Sequence, residues 1–306
     1  MINRLLIRIK TIQLVYAYIQ SEQPRITCDD ELMNSLESSY QLYNYLLGLI
    51  VKVTGYRHEV LEAARNKYLP TNEERYPNER FVNSAVAKMI RENSSVMDYC
   101  DEHSLFNDFD TDLYSTLFEK IEQMPLYKTY MTQPKAPTFE QDQELWKEIY
   151  NTIIPNCEKL DEIIEEKSIY WNDDLSTITQ FVVKTIAHIK PNDEMIELLG
   201  MFRDDEERQF ATNLFHHSVD ESHEYLKLIE EVAKNWDAAR IAMMEKVIMI
   251  CALAEIRNFP NIPLKISLYE YIELAKYYCK KDSSRFINGI LDRIVSDWKK
   301  EGKIFK

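Results

Sequence analysis

One string of the sequence has the residue types of a metal site. HHSVDESH places His216, Asp220 and His223 four and three residues apart, on one face of a helix if that helix is continuous. Imidazole and carboxylate groups bind metals when they are deprotonated and supported by further hydrogen bonds. A turn near Ser218 breaks this geometry. The string is therefore compatible with a metal-dependent helical enzyme, but ordinary surface histidines are the favoured interpretation, because short motifs of this kind usually are that.

Other catalytic signatures are missing from the sequence. The 306 residues include five scattered glycines, and no G-x-x-x-x-G-K-[ST], G-x-G-x-x-G or G-x-S-x-G motif occurs. Acidic runs such as residues 204–207 are typical of solvated helix faces and first-turn charges. We therefore expect no enzymatic activity, no cofactor and no small-molecule substrate.

The distribution of charge points to a different kind of partner. The net charge is −14, yet residues 1–21 carry Arg4, Arg8 and Lys10 with no acid, and residues 276–306 carry nine Lys and Arg against four Asp and Glu. Two basic ends thus flank a strongly acidic middle. Such asymmetry is informative about partners rather than about fold.

The stretch DSSRFINGILDRI, residues 282–294, combines cations with an aromatic ring at a helix start. Asp282, Ser283 and Ser284 are good N-cap residues, and Phe286 follows Arg285 one turn into the helix. Cations beside an exposed aromatic suit single-stranded RNA, because phosphates are neutralised and bases stack. Gly289 lies within this helix, and we expect it to mark a close approach of another helix backbone.

The elements that carry these residues are all predicted to be helices. Apolar residues recur three and four apart through nearly every segment between prolines. The run from Ile241 to Ile256 is apolar almost all round, which predicts a buried central helix. Capping boxes are predicted at Thr138 with Gln141 and at Ser267 with Glu270. A short helix is also predicted over residues 192–202.

Cysteine usage and hydropathy bear on the compartment. The five cysteines are widely spaced without a Cys-x-x-Cys motif, which is typical of reduced thiols in a cytoplasmic protein. The longest apolar run has eight residues, Val247 to Ala254, too few to cross a membrane. We expect a cytoplasmic protein with no membrane partner.

Three blocks near the C-terminus resemble the NusB family of bacterial transcription antitermination factors. They are MEKVIMICALAEI, then NIPLKISLYEYIELAK, then DSSRFINGILDRI, in family order and with similar spacing. RIKTIQLVYAY near the N-terminus is similar to the first family helix. The resemblance implies an all-α, NusB-like helical bundle built from residues 1–21 and 204–306. Residues 22–203, which have no recognised counterpart, are predicted to form an acidic helical insertion.

The resemblance also implies a function. NusB-like proteins bind boxA-type single-stranded RNA together with the ribosomal protein NusE, in a transcription antitermination complex that supports processive transcription of rRNA operons. The implied protein-partner residues are Tyr16, Glu245 and Asp282. The RNA-binding residues predicted from the basic ends and the resemblance are Arg4, Arg8, Lys10, Gln13, Lys281, Arg285 and Phe286.

The sequence departs from the family pattern in ways that keep an alternative open. Leu5 and Leu6 stand where family arginines often lie, and Tyr269 replaces an asparagine. The alternative is a helical interaction scaffold with weak or lost RNA binding, in which the acidic middle attracts a basic protein. For an RNA-binding protein we expect the acidic residues 22–203 to pack away from Arg4, Arg8 and Arg285, because like charge repels phosphates.

Overall fold

The computed structural model describes residues 2–21, 25–107, 110–191, 196–233 and 241–304, without the side chains of 25–29. The fold is all-α, as predicted, and the described residues form no strand beyond one isolated bridge between Ile2 and Phe202. No helix in these ranges has the length and apolar character needed to cross a membrane. The α-helices are α1 Arg4–Ser21, α2 Arg25–Arg65, α3 Asn72–Arg75, α4 Ala85–Glu92, α5 Ser94–Glu102, α6 Thr111–Gln123, α7 Pro125–Thr132, α8 Phe139–Thr152, α9 Glu158–Lys167, α10 Leu175–His188, α11 Asp205–Asp220, α12 Ser222–Ala233, α13 Met243–Asn258, α14 Leu264–Tyr278 and α15 Ser283–Lys300.

The chain forms two compact units. One contains residues 37–201, and the other contains residues 2–36 and 202–306. The first division falls inside α2, because the residues before Glu37 group with α1 and α11–α15. The structural divisions therefore lie at 36/37 and 201/202, whereas the sequence predicts them at 21/22 and 203/204.

Helix α13 is the core of the unit that contains both basic ends. Ten consecutive residues, Val247 to Ile256, are buried, as the continuous apolar pattern predicts. Helices α1, α11, α12, α14 and α15 all pack against α13. A helix surrounded on every side cannot present side chains to a ligand except at its ends. The ends of α13 are therefore where a site can form.

The unit of residues 37–201 has its own aromatic core. Phe81 packs against Phe118, Tyr127 and Trp146, with ring centroids 5.3–5.7 Å apart. The buried Asp142 carboxylate accepts hydrogen bonds from the Ser84 and Tyr130 hydroxyls and the Val86 backbone N–H. Other buried bonds join distant segments in the same way: Trp171 Nε1 donates to the Ser38 carbonyl at 2.7 Å. These residues thus form a core of their own.

Some local predictions hold and others fail. The capping box of Thr138 and Gln141 is confirmed. The capping box at Ser267 is wrong, because α14 begins earlier, after Pro263, and Ser267 is buried in its second turn. The helix over 192–202 is also wrong for residues 196–202, which have no helical structure; residues 192–195 lie outside the described ranges.

The expected role of Gly289 is also wrong. Nothing lies within 4 Å of the position that a Cβ would occupy there, and Gly289 is exposed. The residue therefore does not mark a close approach of another helix in this structure.

Candidate RNA and protein interface

The first basic end contributes an internal ion pair. Arg8 Nε and Nη2 donate to the two carboxylate oxygens of Glu255, at 2.8 and 2.9 Å. Arg8 is 3% exposed and Glu255 is fully buried. The Tyr271 hydroxyl also donates to Glu255, at 3.2 Å, and Glu270 lies 3.6 Å from Arg8 Nη1. This cluster joins α1, α13 and α14 in the interior of the bundle.

The charge state of this cluster follows from its surroundings. Burial lowers the pKa of the Arg8 guanidinium, but the hydrogen bond and the negative charge of Glu255 outweigh it, so the net shift is upward. Burial, with the nearby charge of Glu255, raises the pKa of Tyr271 well above its usual value. Arg8 is therefore a permanent cation whose bidentate partner is already inside the protein.

The other cations of α1 divide between core and surface. Lys10 is 1% exposed, so its ammonium group is not presented to a ligand. Arg4 is exposed, and its guanidinium lies over the ring of Phe210 at 5.3 Å. The expectation that Arg8 and Lys10 contact RNA directly needs correction, because both side chains are buried and Arg8 is paired with Glu255 of α13. Of the three predicted cations of α1, only Arg4 presents its charge.

A second set of contacts joins α1 to α14 and α13 to α15. Gln13 Nε2 donates to the Tyr278 hydroxyl at 3.4 Å, which joins α1 to the end of α14. One oxygen of the Glu245 carboxylate accepts the Ala242 backbone N–H at 2.9 Å, and the other accepts the Ser283 hydroxyl. Glu245 therefore fixes the start of α15 against the start of α13.

We call the end of α14, the turn after it and the start of α15 the α14–α15 junction, residues 278–286. Burial and the charge of Glu245 raise the pKa of the Cys279 thiol to about 11, so this thiol stays protonated at neutral pH. Lys281, Asp282 and Arg285 are exposed, and Phe286 is half-buried. With exposed Lys280 and half-buried Tyr278, the junction thus presents three cations, one carboxylate and parts of two aromatic rings on a fixed frame.

The N-cap chemistry of this helix differs from the simplest expectation. Asp282 is the N-cap residue, but its side chain makes no capping hydrogen bond. Ser283, which the sequence offers as an alternative cap, donates to Glu245 instead. The link between Ser283 and Glu245 could not be found from local spacing, because 38 residues separate them. The exposed Asp282 carboxylate is therefore not committed to capping α15.

The structure brings together most of the predicted site residues. Glu245, Lys281, Asp282, Arg285 and Phe286 lie at or beside the α14–α15 junction, and Gln13 reaches it through Tyr278. Tyr16, half-buried, is one helical turn beyond Gln13. Arg4 is nine residues before Gln13, about 13 Å along the axis of α1.

The metal-like string has a structural role in the described chain. A break at Glu221 separates α11, which holds His216 and Asp220, from α12, which holds His223. In the part of the chain that the structure describes, no three His, Cys, Asp or Glu residues form a group that could hold a metal ion. The hypothesis of a metal site at His216, Asp220 and His223 is therefore wrong for this structure, because the helix is not continuous.

Glu221 instead ties the two helices to α13. Its carboxylate accepts hydrogen bonds from His217, from the Tyr225 hydroxyl and from Asn258. Partial burial raises the pKa of Glu221, but these hydrogen bonds outweigh it and hold the pKa below its usual value. The string HHSVDESH thus supplies a helix junction.

Comparisons with known proteins identify similarity to one family. The model of the NusB family matches residues 177–296. The transcription antitermination protein NusB of Salinibacter ruber is 30% identical over 140 residues, which are 46% of this chain and 81% of that protein. The NusB protein of Koribacter versatilis is 36% identical over 100 residues, 33% of this chain and 68% of that protein.

A third relative, the NusB protein of Dictyoglomus turgidum, is 41% identical over 78 residues, 26% of this chain and 54% of that protein. No solved structure matches. The family match contains α13, α14 and most of α15, and so the whole α14–α15 junction. Because the alignments cover most of the first two relatives at 30% identity or more, this chain belongs to the NusB family.

Proposed function

We propose that this protein is a transcription antitermination factor that binds a boxA-type RNA together with NusE, and so supports processive transcription of rRNA operons. The observation that carries the proposal is the α14–α15 junction of a NusB-family chain. Three exposed cations and the half-buried ring of Phe286 lie there in an otherwise acidic protein. Neutralising phosphates and stacking bases are what single-stranded RNA requires of its binding site.

The proposed roles separate by exposure. Lys281, Arg285 and Phe286 contact RNA, and Arg4 adds a cation at the far end of α1. Gln13 acts through Tyr278 at the junction. Arg8 and Lys10 support the bundle instead of touching RNA.

The proposed surface for NusE lies beside the RNA site. It is formed by Tyr16, Glu245 and Asp282. Two of the three are acids, and acidic groups attract the basic side chains typical of ribosomal proteins. Because Glu245 also holds Ser283, a change at this residue disturbs the frame of α15, whereas a change at Asp282 does not. Asp282 is therefore the cleaner probe of the partner surface.

The proposal is tested by titrating a labelled boxA oligonucleotide, and a scrambled one of the same length, with the full chain in the presence and absence of NusE. Arg285→Gln is expected to weaken boxA binding by about tenfold, since it removes a charge-assisted phosphate contact. Arg293→Gln is the matched control: Arg293 is exposed on the same helix but is paired with Asp297 at 3.1 Å. Equal binding of boxA and scrambled RNA would contradict the proposal.

One observation favours a second function. With Arg8 and Lys10 buried, few of the N-terminal cations remain available to RNA. The burial of these two cations is compatible with a scaffold that binds a basic protein and has lost RNA binding. The same titration discriminates, because a scaffold binds NusE without boxA and shows no gain when the RNA is added. Asp282→Asn, compared with Asp292→Asn on the same helix, then reports on the partner surface alone.

A further inference from the structure

Helix α14 has an exposed face that its role in the bundle does not explain. Its other side is buried through Ser267, Tyr271, Leu274 and Ala275. On the exposed side, Tyr269 is 62% and Tyr277 is 69% accessible. Single exposed apolar residues are normal on a protein surface, so these rings point to a ligand only together with the charges that accompany them.

Cations interleave with these rings at helical spacing. Residues 265, 269 and 276 fall within about 40° of one another around the helix axis, and residues 273 and 277 border them. Lys280 follows two residues after the end of α14. The residues of this α14 face are Lys265, Tyr269, Glu273, Lys276, Tyr277 and Lys280.

Cations outnumber acids on this face. Lys265, Lys276 and Lys280 are exposed, and Glu273 is already paired with Lys276. The other acid nearby, Glu270, lies against buried Arg8. The face is therefore positive in a chain whose net charge is −14. Positive charge interleaved with open rings favours a nucleic-acid strand over a basic protein, because a basic protein would be repelled.

The face is continuous with the α14–α15 junction. Lys280 is followed directly by Lys281, and Tyr277 packs edge-on against Tyr278 with ring centroids 4.9 Å apart. Tyr278 is held by Gln13, so the ring behind Tyr277 is anchored to α1. From Tyr269 to Tyr277 the face extends about 12 Å along the helix axis. An RNA strand that runs from Arg285 and Phe286 along this face passes Lys280, then the ring of Tyr277, then Lys276.

We propose that the α14 face binds single-stranded RNA flanking the boxA element, with Tyr277 and Tyr269 stacking bases and Lys265 and Lys280 contacting phosphates. This inference rests on the proposed function, because it extends the same RNA path. It places part of the affinity on α14, where the cations are solvent-accessible, in place of the inward-facing cations of α1. Stacking on an aromatic ring tolerates any base, so the face adds affinity without adding sequence specificity.

The test compares two RNA probes with the full chain: a bare boxA oligonucleotide, and the same oligonucleotide extended by several uridines on each side in turn. Wild type is expected to bind one extended probe at least about fivefold tighter than the bare probe, the lower end of one lost stacking contact. The double variant Tyr269→Ala/Tyr277→Ala is expected to bind the bare probe as wild type does and to lose that gain. Both rings are exposed, so melting temperatures are expected to match wild type.

Matched variants separate stacking from other effects. Tyr277→Phe keeps the ring and is expected to keep the gain, whereas Tyr277→Leu keeps apolar area without a stacking ring and is expected to lose it. Tyr68→Ala removes a 97% exposed tyrosine of the other unit and is expected to change nothing.

The outcomes are distinguishable. Wild-type protein that binds the bare and extended probes equally overturns the inference and leaves the proposed function standing. Wild-type protein that binds neither probe overturns both. Tyrosine variants that weaken NusE binding while leaving the RNA gain intact also overturn it, because the face then belongs to a protein partner.

Discussion

The two basic ends of this chain look alike in sequence and differ in the folded protein. On α1, Arg8 is 3% exposed and its guanidinium is paired with the carboxylate of Glu255. At the α14–α15 junction, Lys281 and Arg285 are exposed. A segment rich in Lys and Arg therefore does not always form a basic surface. Whether its cations can reach a ligand depends on whether a carboxylate from elsewhere in the chain pairs with them.

The largest expected effect tests the buried side of this comparison. Arg8→Ala leaves Glu255 buried without its partner, so it is expected to lower the free energy of unfolding by about 3–5 kcal/mol. Chemical denaturation measures the loss. Arg4→Ala, which removes an exposed cation over Phe210, is expected to cost no more than about 1 kcal/mol.

A double variant sharpens the Arg8 result. Replacing both members of the pair, as in Arg8→Met with Glu255→Leu, is expected to recover much of the lost stability, because no buried charge remains. If Arg8→Ala instead melts like wild type and binds boxA RNA poorly, then Arg8 faces the ligand and the contrast between the two ends is wrong.

The next effect tests the exposed side. Phe286→Ala is expected to weaken boxA binding by about 1–3 kcal/mol, the range measured for one base stacked on an aromatic ring. Its cost in stability is expected to be smaller than that of Arg8→Ala, because the ring is only half-buried. Phe286→Tyr, which keeps the ring, is the control. A variant that loses melting temperature but keeps RNA affinity would assign Phe286 to the core.

A smaller effect tests the frame of α15. Gly289 is exposed within the helix with open space around it, so Gly289→Ala is expected to stabilise the protein by about 0.5–1 kcal/mol. Gly302, by contrast, has a φ of +68°, and Gly302→Ala is expected to destabilise because a Cβ strains that backbone. Thermal melts of the two variants should move in opposite directions. Loss of stability in Gly289→Ala would restore a close-packing role.

The sequence predicted those features that depend on interactions between residues close together in the chain. The capping box at Thr138 and the buried run ending at Ile256 follow from nearest-neighbour spacing, and both are present. Ser267 with Glu270 has the same spacing, yet it is not a cap, because α14 begins a turn earlier and the Ser267 backbone N–H already donates to the Pro263 carbonyl at 3.2 Å. A motif is thus overruled when a competing start signal lies just upstream.

The site required information that spacing does not contain. Arg8 meets Glu255 across 247 residues, and this tertiary contact alone decides that the first basic end is structural. Similarly, the link from Glu245 to Ser283 depends on how two helix starts pack. The helix start that carries Arg285 and Phe286 was predictable, because the N-cap residues and the apolar spacing that define it are local.

The salt dependence of RNA binding reports directly on whether the cations that face RNA lie at the α14–α15 junction. Each phosphate contact on a single strand contributes about 0.7 to the slope of log K against log salt concentration. We therefore predict that Arg285→Gln reduces the magnitude of this slope by about 0.7 relative to wild type, while Arg293→Gln leaves it unchanged. A slope that stays the same in Arg285→Gln would contradict this placement of the cations.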